Sequence, residues 1–235
     1  MKPLICTAAI AAAMLPSLAS AQSVTTYGDQ LSVPFNVGSG NSNTNFAITT
    51  TQTHGTTIEL GLKAKQRYVG DVAQSNGMYS VEAGYSPVSG SDPTLSSNFW
   101  WNIDFSAHLG DRSISDTPLR LTVDFVSQDN STTQRVVNTV NVFNLFYVFA
   151  GGTYAPSDSV IQNSQNLAFA SVFGSGFDPN ALGTYTITLE ALIDDAVVSA
   201  VTMQAQNFET TVIPLPGAAG MALAGMGLMG LRRRR

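Results

Sequence analysis

The chain has 235 residues, 44% of them hydrophobic, so it is long and apolar enough to bury one sizeable core. Residues 22–211 hold six basic and all sixteen acidic side chains, a net charge of −10, although the whole chain carries −5. This charge argues against nucleic-acid binding, which requires a cationic face. The single cysteine excludes an intramolecular disulfide and a multi-cysteine metal site.

Residues 1–21 have the features of a secretory signal peptide. Lys2 supplies the positive charge, residues 4–18 form a short apolar run, and Ala19 and Ala21 give a small-x-small cleavage site. We expect signal peptidase to cut after Ala21, so that the exported chain begins at Gln22 and contains no cysteine.

Residues 22–211 are predicted to form one exported all-β domain. Apolar and polar residues alternate in four segments, which are residues 58–65, 101–109, 119–125 and 184–191. A period of two places one face of a strand in the core and the other in water. Lys63, Lys65 and Asp104 are therefore expected to be exposed.

Further strands are predicted at residues 46–51, 78–85, 135–143, 167–172 and 197–206. Residues 38–45 and 86–97 are rich in Gly, Pro, Ser and Asn and are predicted to be loops, and residues 142–150 are predicted to be a buried strand or a short helix. Nine or more strands without an internal repeat predict a single β-sandwich, jelly-roll-like or immunoglobulin-like.

Two local features concern how the strands connect. Residues 109–118 join two well-patterned strands and are predicted to close a hairpin, in a register that can bring Asp104 near Arg120. Tyr185 is at the second position of a strand that follows a turn. It is either a tyrosine corner, whose hydroxyl bonds back to the turn, or an ordinary core tyrosine.

No catalytic or metal-binding motif is evident in the chain. His54 and His108 are isolated, with no zinc-binding spacing, and no GxSxG element is present. Asp129-Asn130 and Asp194-Asp195 are expected to be turn residues rather than calcium ligands, because the regular spacing of a calcium-binding loop is missing. We predict a non-catalytic protein with no metal and no cofactor.

A carbohydrate-active protein is the alternative. Trp100, Asn102 and Asp104 are predicted to lie on one face, where a ring can stack on a sugar and a carboxylate can act in glycoside hydrolysis. Trp101 is predicted to point the opposite way, into the core. Packing against a second layer is the other interpretation of Trp100. The alternative function is a carbohydrate-binding module or a glycoside hydrolase acting on exopolysaccharide.

Residues 212–235 (VIPLPGAAGMALAGMGLMGLRRRR) combine a proline motif, an apolar run and a basic end. Pro214 and Pro216 disfavour regular structure where they stand. Residues 215–231 carry no charge and are long enough for a short transmembrane helix. Four arginines follow and are expected to stay on the cytoplasmic side. They are Arg232, Arg233, Arg234 and Arg235.

This tail resembles the C-terminal sorting signals of the PEP-CTERM class, most closely the VPLPA-CTERM variant. The residues that correspond to the proline motif are Ile213, Pro214, Leu215, Pro216 and Gly217. Ile213 stands for the usual Val, and Gly217 for the usual Ala. The body is similar to uncharacterised exported proteins with such signals.

The resemblance implies a Gram-negative bacterial protein whose tail is cut near the proline motif by an exosortase-type enzyme. It also implies a location at the cell surface or in the extracellular matrix, with extracellular polysaccharide as a further partner. A plain C-terminal membrane anchor is the alternative interpretation of the tail. The sequence thus predicts an exported, non-catalytic structural or binding protein.

Overall fold

A computed structural model describes residues 22–37, 42–67, 69–85, 100–138, 155, 157–168, 177–178 and 180–209. The predicted signal peptide, the predicted loop at 86–97, the predicted element at 142–150 and the sorting signal at 212–235 lie outside the described residues.

The described residues form twelve strands and no helix, which confirms the all-β prediction. The strands are β1 (Gln22–Asp29), β2 (Phe46–Thr53), β3 (Thr56–Gln66), β4 (Gly70–Asp71), β5 (Gln74–Ser75), β6 (Met78–Glu82), β7 (Trp101–His108), β8 (Leu119–Ser127), β9 (Thr133–Asn138), β10 (Val160–Gln165), β11 (Gly183–Ile193) and β12 (Ala196–Phe208).

The strands belong to two six-stranded sheets, as in a β-sandwich. Sheet I has the order β1-β2-β3-β7-β10, with β4 paired to β3, and sheet II has the order β5-β6-β12-β11-β8-β9. Neighbouring strands are antiparallel, except that β12 and β6 run parallel.

The main core lies between the sheets and consists of the residues that alternation predicts. In β11 every second residue from Gly183 to Ile193 is buried, because strand side chains point alternately to the two faces. At the centre, the ring of Tyr185 lies 5.3 Å from that of Trp101 and 4.5 Å from that of Phe125, between centroids. Tyr185 is therefore a core aromatic residue, and the tyrosine-corner hydrogen bond stays a prediction.

The predicted hairpin at residues 109–118 is wrong. β7 belongs to sheet I and β8 to sheet II, so this segment crosses between the sheets. Asp104 consequently lies beside Lys65 instead of Arg120, and Arg120 pairs with Glu190 on the neighbouring strand β11. Two amphipathic strands joined by a short segment can pair with each other or face each other across a core, and alternation alone does not distinguish the two cases.

Most of the strand predicted at residues 167–172 lies outside the described residues, and an unpredicted strand precedes it. β10 is Val160–Gln165, and Leu167 and Ala168 form a turn after it. Its sequence VIQNSQ lacks apolar alternation, which explains why the pattern missed it. The edge strand β1 and the two-residue strands β4 and β5 were missed for the same reason.

A short non-strand segment lies over the outer face of sheet I. We call residues 30–37 and 42–45 the covering segment. Its Leu31 and Phe35 form a second apolar cluster with Phe46 and Ile48 of β2. A Cβ at Gly61 would lie 2.5 Å from Leu31 Cδ2, so only glycine lets the segment pack this closely on β3. The outer face of sheet I is thus partly buried by a third layer.

Candidate functional site

Four charged side chains gather on β3, β4 and β7 of sheet I, and one of them, Lys63, contacts the covering segment. β3 supplies Lys63 and Lys65, which share a face because they are two residues apart. β7 supplies Asp104, directly opposite Lys63 in the register, and β4 supplies Asp71, opposite Lys65. We call these four residues the ion layer, in which Lys63, Lys65 and Asp104 are buried and Asp71 lies at the exposed margin.

Lys63 is completely buried and has several polar partners. Its Nζ donates to Asp71 Oδ1 at 2.8 Å, to the Ser42 carbonyl at 2.7 Å and to the Thr44 carbonyl at 3.3 Å. The ammonium also lies 4.6 Å from the centroid of the Phe46 ring. These contacts offset the cost of removing a charge from water, and they join β3, β4 and the covering segment.

Asp104 is also completely buried. Its Oδ2 lies 3.4 Å from Lys65 Nζ, whose side chain is 3% exposed. Burial raises the pKa of Asp104 to about 6, although Lys65, a hydrogen bond from Ser164, and Lys63 all act to lower it. The desolvation cost of this carboxylate therefore exceeds the attraction of its neighbours.

The expectation that Lys63, Lys65 and Asp104 are exposed is wrong. Alternation correctly assigned them to the face away from the main core, but a period of two says nothing about what covers that face. The sequence held no signal for this burial, because the pairing of the polar strand β10 with β7 is known only from the structure. Gln162 of β10 is itself buried and donates to Ser106 Oγ at 3.2 Å.

The three residues proposed to face a glycan do not share an open surface. Asp104 is buried, as described. Asn102 is half-buried; its amide nitrogen donates to Ser164 Oγ at 2.9 Å, and its Oδ1 accepts from Asn166 Nδ2 at 2.8 Å. Trp100 precedes β7 and is half-buried, and its backbone N–H donates to the Gly84 carbonyl at 3.0 Å. The carboxylate that a glycosidase at this place would need is inaccessible.

The described surface has a shallow groove of about 350 Å³ on the outer face of sheet II. We call it the sheet II groove. It is lined by Arg120, Thr122, Asp124, Arg135, Val137, Thr188 and Glu190. Arg120 Nε lies 2.5 Å from Glu190 Oε2, and Arg135 Nε lies 3.5 Å from Asp124 Oδ1. Guanidinium, carboxylate and hydroxyl groups thus stand side by side on a solvent-facing sheet, where they can hydrogen-bond a hydroxylated ligand.

A second groove of about 350 Å³ runs along the outer face of β1, β2 and β3. Its lining includes Val24, Thr26, Thr50, Gln52 and Glu59. Glu59 accepts a hydrogen bond from the Ser32 backbone N–H at 3.0 Å, so the covering segment closes one end of this groove.

Within the described ranges, His, Cys, Asp and Glu side chains nowhere cluster in threes that could hold a metal ion. None of the described residues belongs to a helix long and apolar enough to cross a membrane. The predicted transmembrane helix at 215–231 lies outside these ranges and stays a prediction.

Neither a protein-family model, nor a curated protein, nor a solved structure matches this chain.

Replacing Lys63 by Met is expected to lower the free energy of unfolding by about 1–3 kcal/mol, because the Ser42 and Thr44 carbonyls lose their hydrogen-bond donor and β3 loses its link to the covering segment. The matched control is Arg135→Met, which breaks a pair whose side chains are 68% and 40% exposed. That change is expected to cost less than about 1 kcal/mol. Urea unfolding measures both variants, and equal costs would contradict the role given to Lys63.

Asp104 is expected to make stability fall as pH rises from about 4 to about 6. Its pKa is higher in the folded chain, near 6, than its usual 3.8, so the folded state binds more protons in this window. Asp104→Asn removes that proton uptake and should flatten the slope, measured by urea unfolding at a series of pH values.

The control for this experiment is Asp129→Asn. Hydrogen bonds from Ser127 and Ser131 lower the pKa of Asp129 to about 2, so its contribution is lost only as pH falls below about 4. This variant should retain the slope above pH 4. A slope that survives in Asp104→Asn would show that another group takes up the proton.

Proposed function

We propose that this chain is an exported bacterial protein of the cell surface or extracellular matrix, sorted through its C-terminal signal by an exosortase-type enzyme. Its β-sandwich serves as a non-catalytic structural or binding body, with jelly-roll-like or immunoglobulin-like connections. One observation carries the proposal. Residues 212–235 combine a proline motif, an uncharged apolar run and four arginines, and all the described strands lie between this tail and the expected signal peptide.

The distribution of charge supports an exposed, soluble body. Residues 22–211 have only six basic side chains, and two of them, Lys63 and Lys65, are buried in the ion layer. The solvent-facing surface is therefore acidic, which favours solubility and weak association with cations. Buried ion pairs and a third layer also supply stabilising contacts in an exported chain that would have no disulfide.

The decisive experiment is to isolate the protein from its native cells and medium and to determine both of its termini by intact mass. We expect a species that begins at Gln22 and ends near Pro216. A species that still ends at Arg235 would mean that the tail is a permanent anchor, and one that still begins at Met1 would overturn export by signal-peptide cleavage.

A variant with Pro214→Ala and Pro216→Ala separates the two processing steps. It should still begin at Gln22 but should retain Arg235, because only the sorting motif is altered. Deletion of residues 212–235 should shift the protein from the envelope to the medium. An unchanged distribution of the deleted form would contradict sorting by this tail.

Carbohydrate binding is a second candidate, and the sheet II groove is the observation that favours it. Its arginines, carboxylates and threonines suit a hydroxylated polymer, whereas the surface around Asp104 does not. Arg135 is 68% exposed in its side chain, so Arg135→Gln should reduce retention on the host's own extracellular polysaccharide without unfolding the chain. Arg112→Gln is the charge-matched control outside the groove, and equal retention of both variants would exclude this site.

A further inference from the structure

Sheet edges expose unpaired backbone groups, and natural proteins protect them by shortening, charging or covering the edge strand. Three of the four edges that the described strands form are protected. β10 of sheet I is mostly buried, and β5 of sheet II is only two residues long. β9 of sheet II carries the charged Arg135.

β1 is the other edge strand of sheet I, and among the described residues none of these protections applies over most of its length. All eight of its residues are exposed, including Val24 at 57% and Tyr27 at 46%. Residues 22–27 (QSVTTY) contain no charged side chain and no proline and keep a regular register with β2. The bulge that interrupts the pairing comes only between Tyr27 and Asp29.

We propose that β1 pairs with β1 of a second copy of this chain, antiparallel and about a two-fold axis near Val24 and Thr25. The pairing joins two copies of sheet I into one continuous sheet. Because each copy uses the same edge, the assembly closes as a dimer and does not grow into a filament.

Side-chain charge does not oppose a second copy at this edge. The span from 22 to 211 carries −10, so two copies repel each other across most of their surface, but residues 22–27 add no side-chain charge to the contact. The antiparallel sense also places the two Asp29 carboxylates at opposite ends of the joint. A parallel joint would set them side by side.

Side-chain geometry limits the register. About the two-fold axis, the outer face of one copy joins the outer face of the other. Two residues that lie opposite each other across the joint must therefore both be even-numbered or both be odd-numbered. Val24 then faces either Val24 or Thr26 of the partner strand. In both registers the two Val24 side chains lie within about 8 Å of each other.

The joint is small, since one strand pair buries less than the ~1,200 Å² of a standard stable interface. We therefore expect a weak dimer in dilute solution whose population rises with concentration. Confinement of the protein to a surface would raise its effective concentration and favour the dimer. The pairing itself requires neither cleavage nor anchoring, so its test is independent of the proposed sorting.

The test is the concentration dependence of the sedimentation coefficient of the purified protein, in the form that cells produce. The wild type is expected to shift from monomer to dimer as concentration rises. Val24→Lys should remain monomeric, because two ammonium groups would meet at the joint. The matched control is Val137→Lys, at a site that is 44% exposed on the edge of sheet II, and it should dimerise like the wild type.

A mixing experiment identifies the occupant of the edge. Val24→Lys and Val24→Asp should each be monomeric alone and should dimerise when mixed, since opposite charges then face each other. Circular dichroism checks that both variants remain folded. The proposal is overturned if the wild type stays monomeric at the highest soluble concentration, if Val137→Lys disrupts dimers as strongly as Val24→Lys, or if mixing restores nothing.

Discussion

The buried ammonium of Lys63 is the contact on which the outer half of this structure depends. It sits on a central strand of sheet I and binds the Ser42 and Thr44 carbonyls above the sheet and Asp71 beside it. A charge in this position must keep all its partners, because losing one leaves a desolvated ion. The covering segment is therefore attached to the sheet by an interaction that resists partial opening, and the apolar cluster around Phe46 adds to it.

Much of the sandwich could be predicted from alternation, and the errors have one cause. A period of two assigns side chains to faces, so the core residues of β7, β8 and β11 were identified correctly. The same pattern holds no information on the partner of each face. It therefore missed the burial of Asp104, the crossing at residues 109–118 and the polar strand β10. The sheet II groove was also out of reach, since Arg120 and Glu190 meet only through the pairing of β8 with β11.

The two faces of sheet I and the outer face of sheet II have different chemical characters. Apolar side chains fill the space between the sheets. A second apolar cluster and the buried Lys63 ammonium lie under the covering segment, and threonines with salt-bridged arginines face water on sheet II. Binding at the solvent-facing side can thus change without disturbing either interior. Substitutions on the outer face of sheet II can therefore alter the surface chemistry without altering the contacts that stabilise the fold.

The position of β12 determines how the sandwich bears a mechanical load. This 13-residue strand is the last of the described body, yet it lies inside sheet II, between β11 and β6. A pull on the chain beyond Phe208 acts along a strand bonded on both sides, so many hydrogen bonds must be sheared together. Among the described strands, β1 is paired only with β2, so the same pull on this edge strand would be resisted by one backbone ladder. The C-terminal end is therefore the mechanically stronger point of attachment.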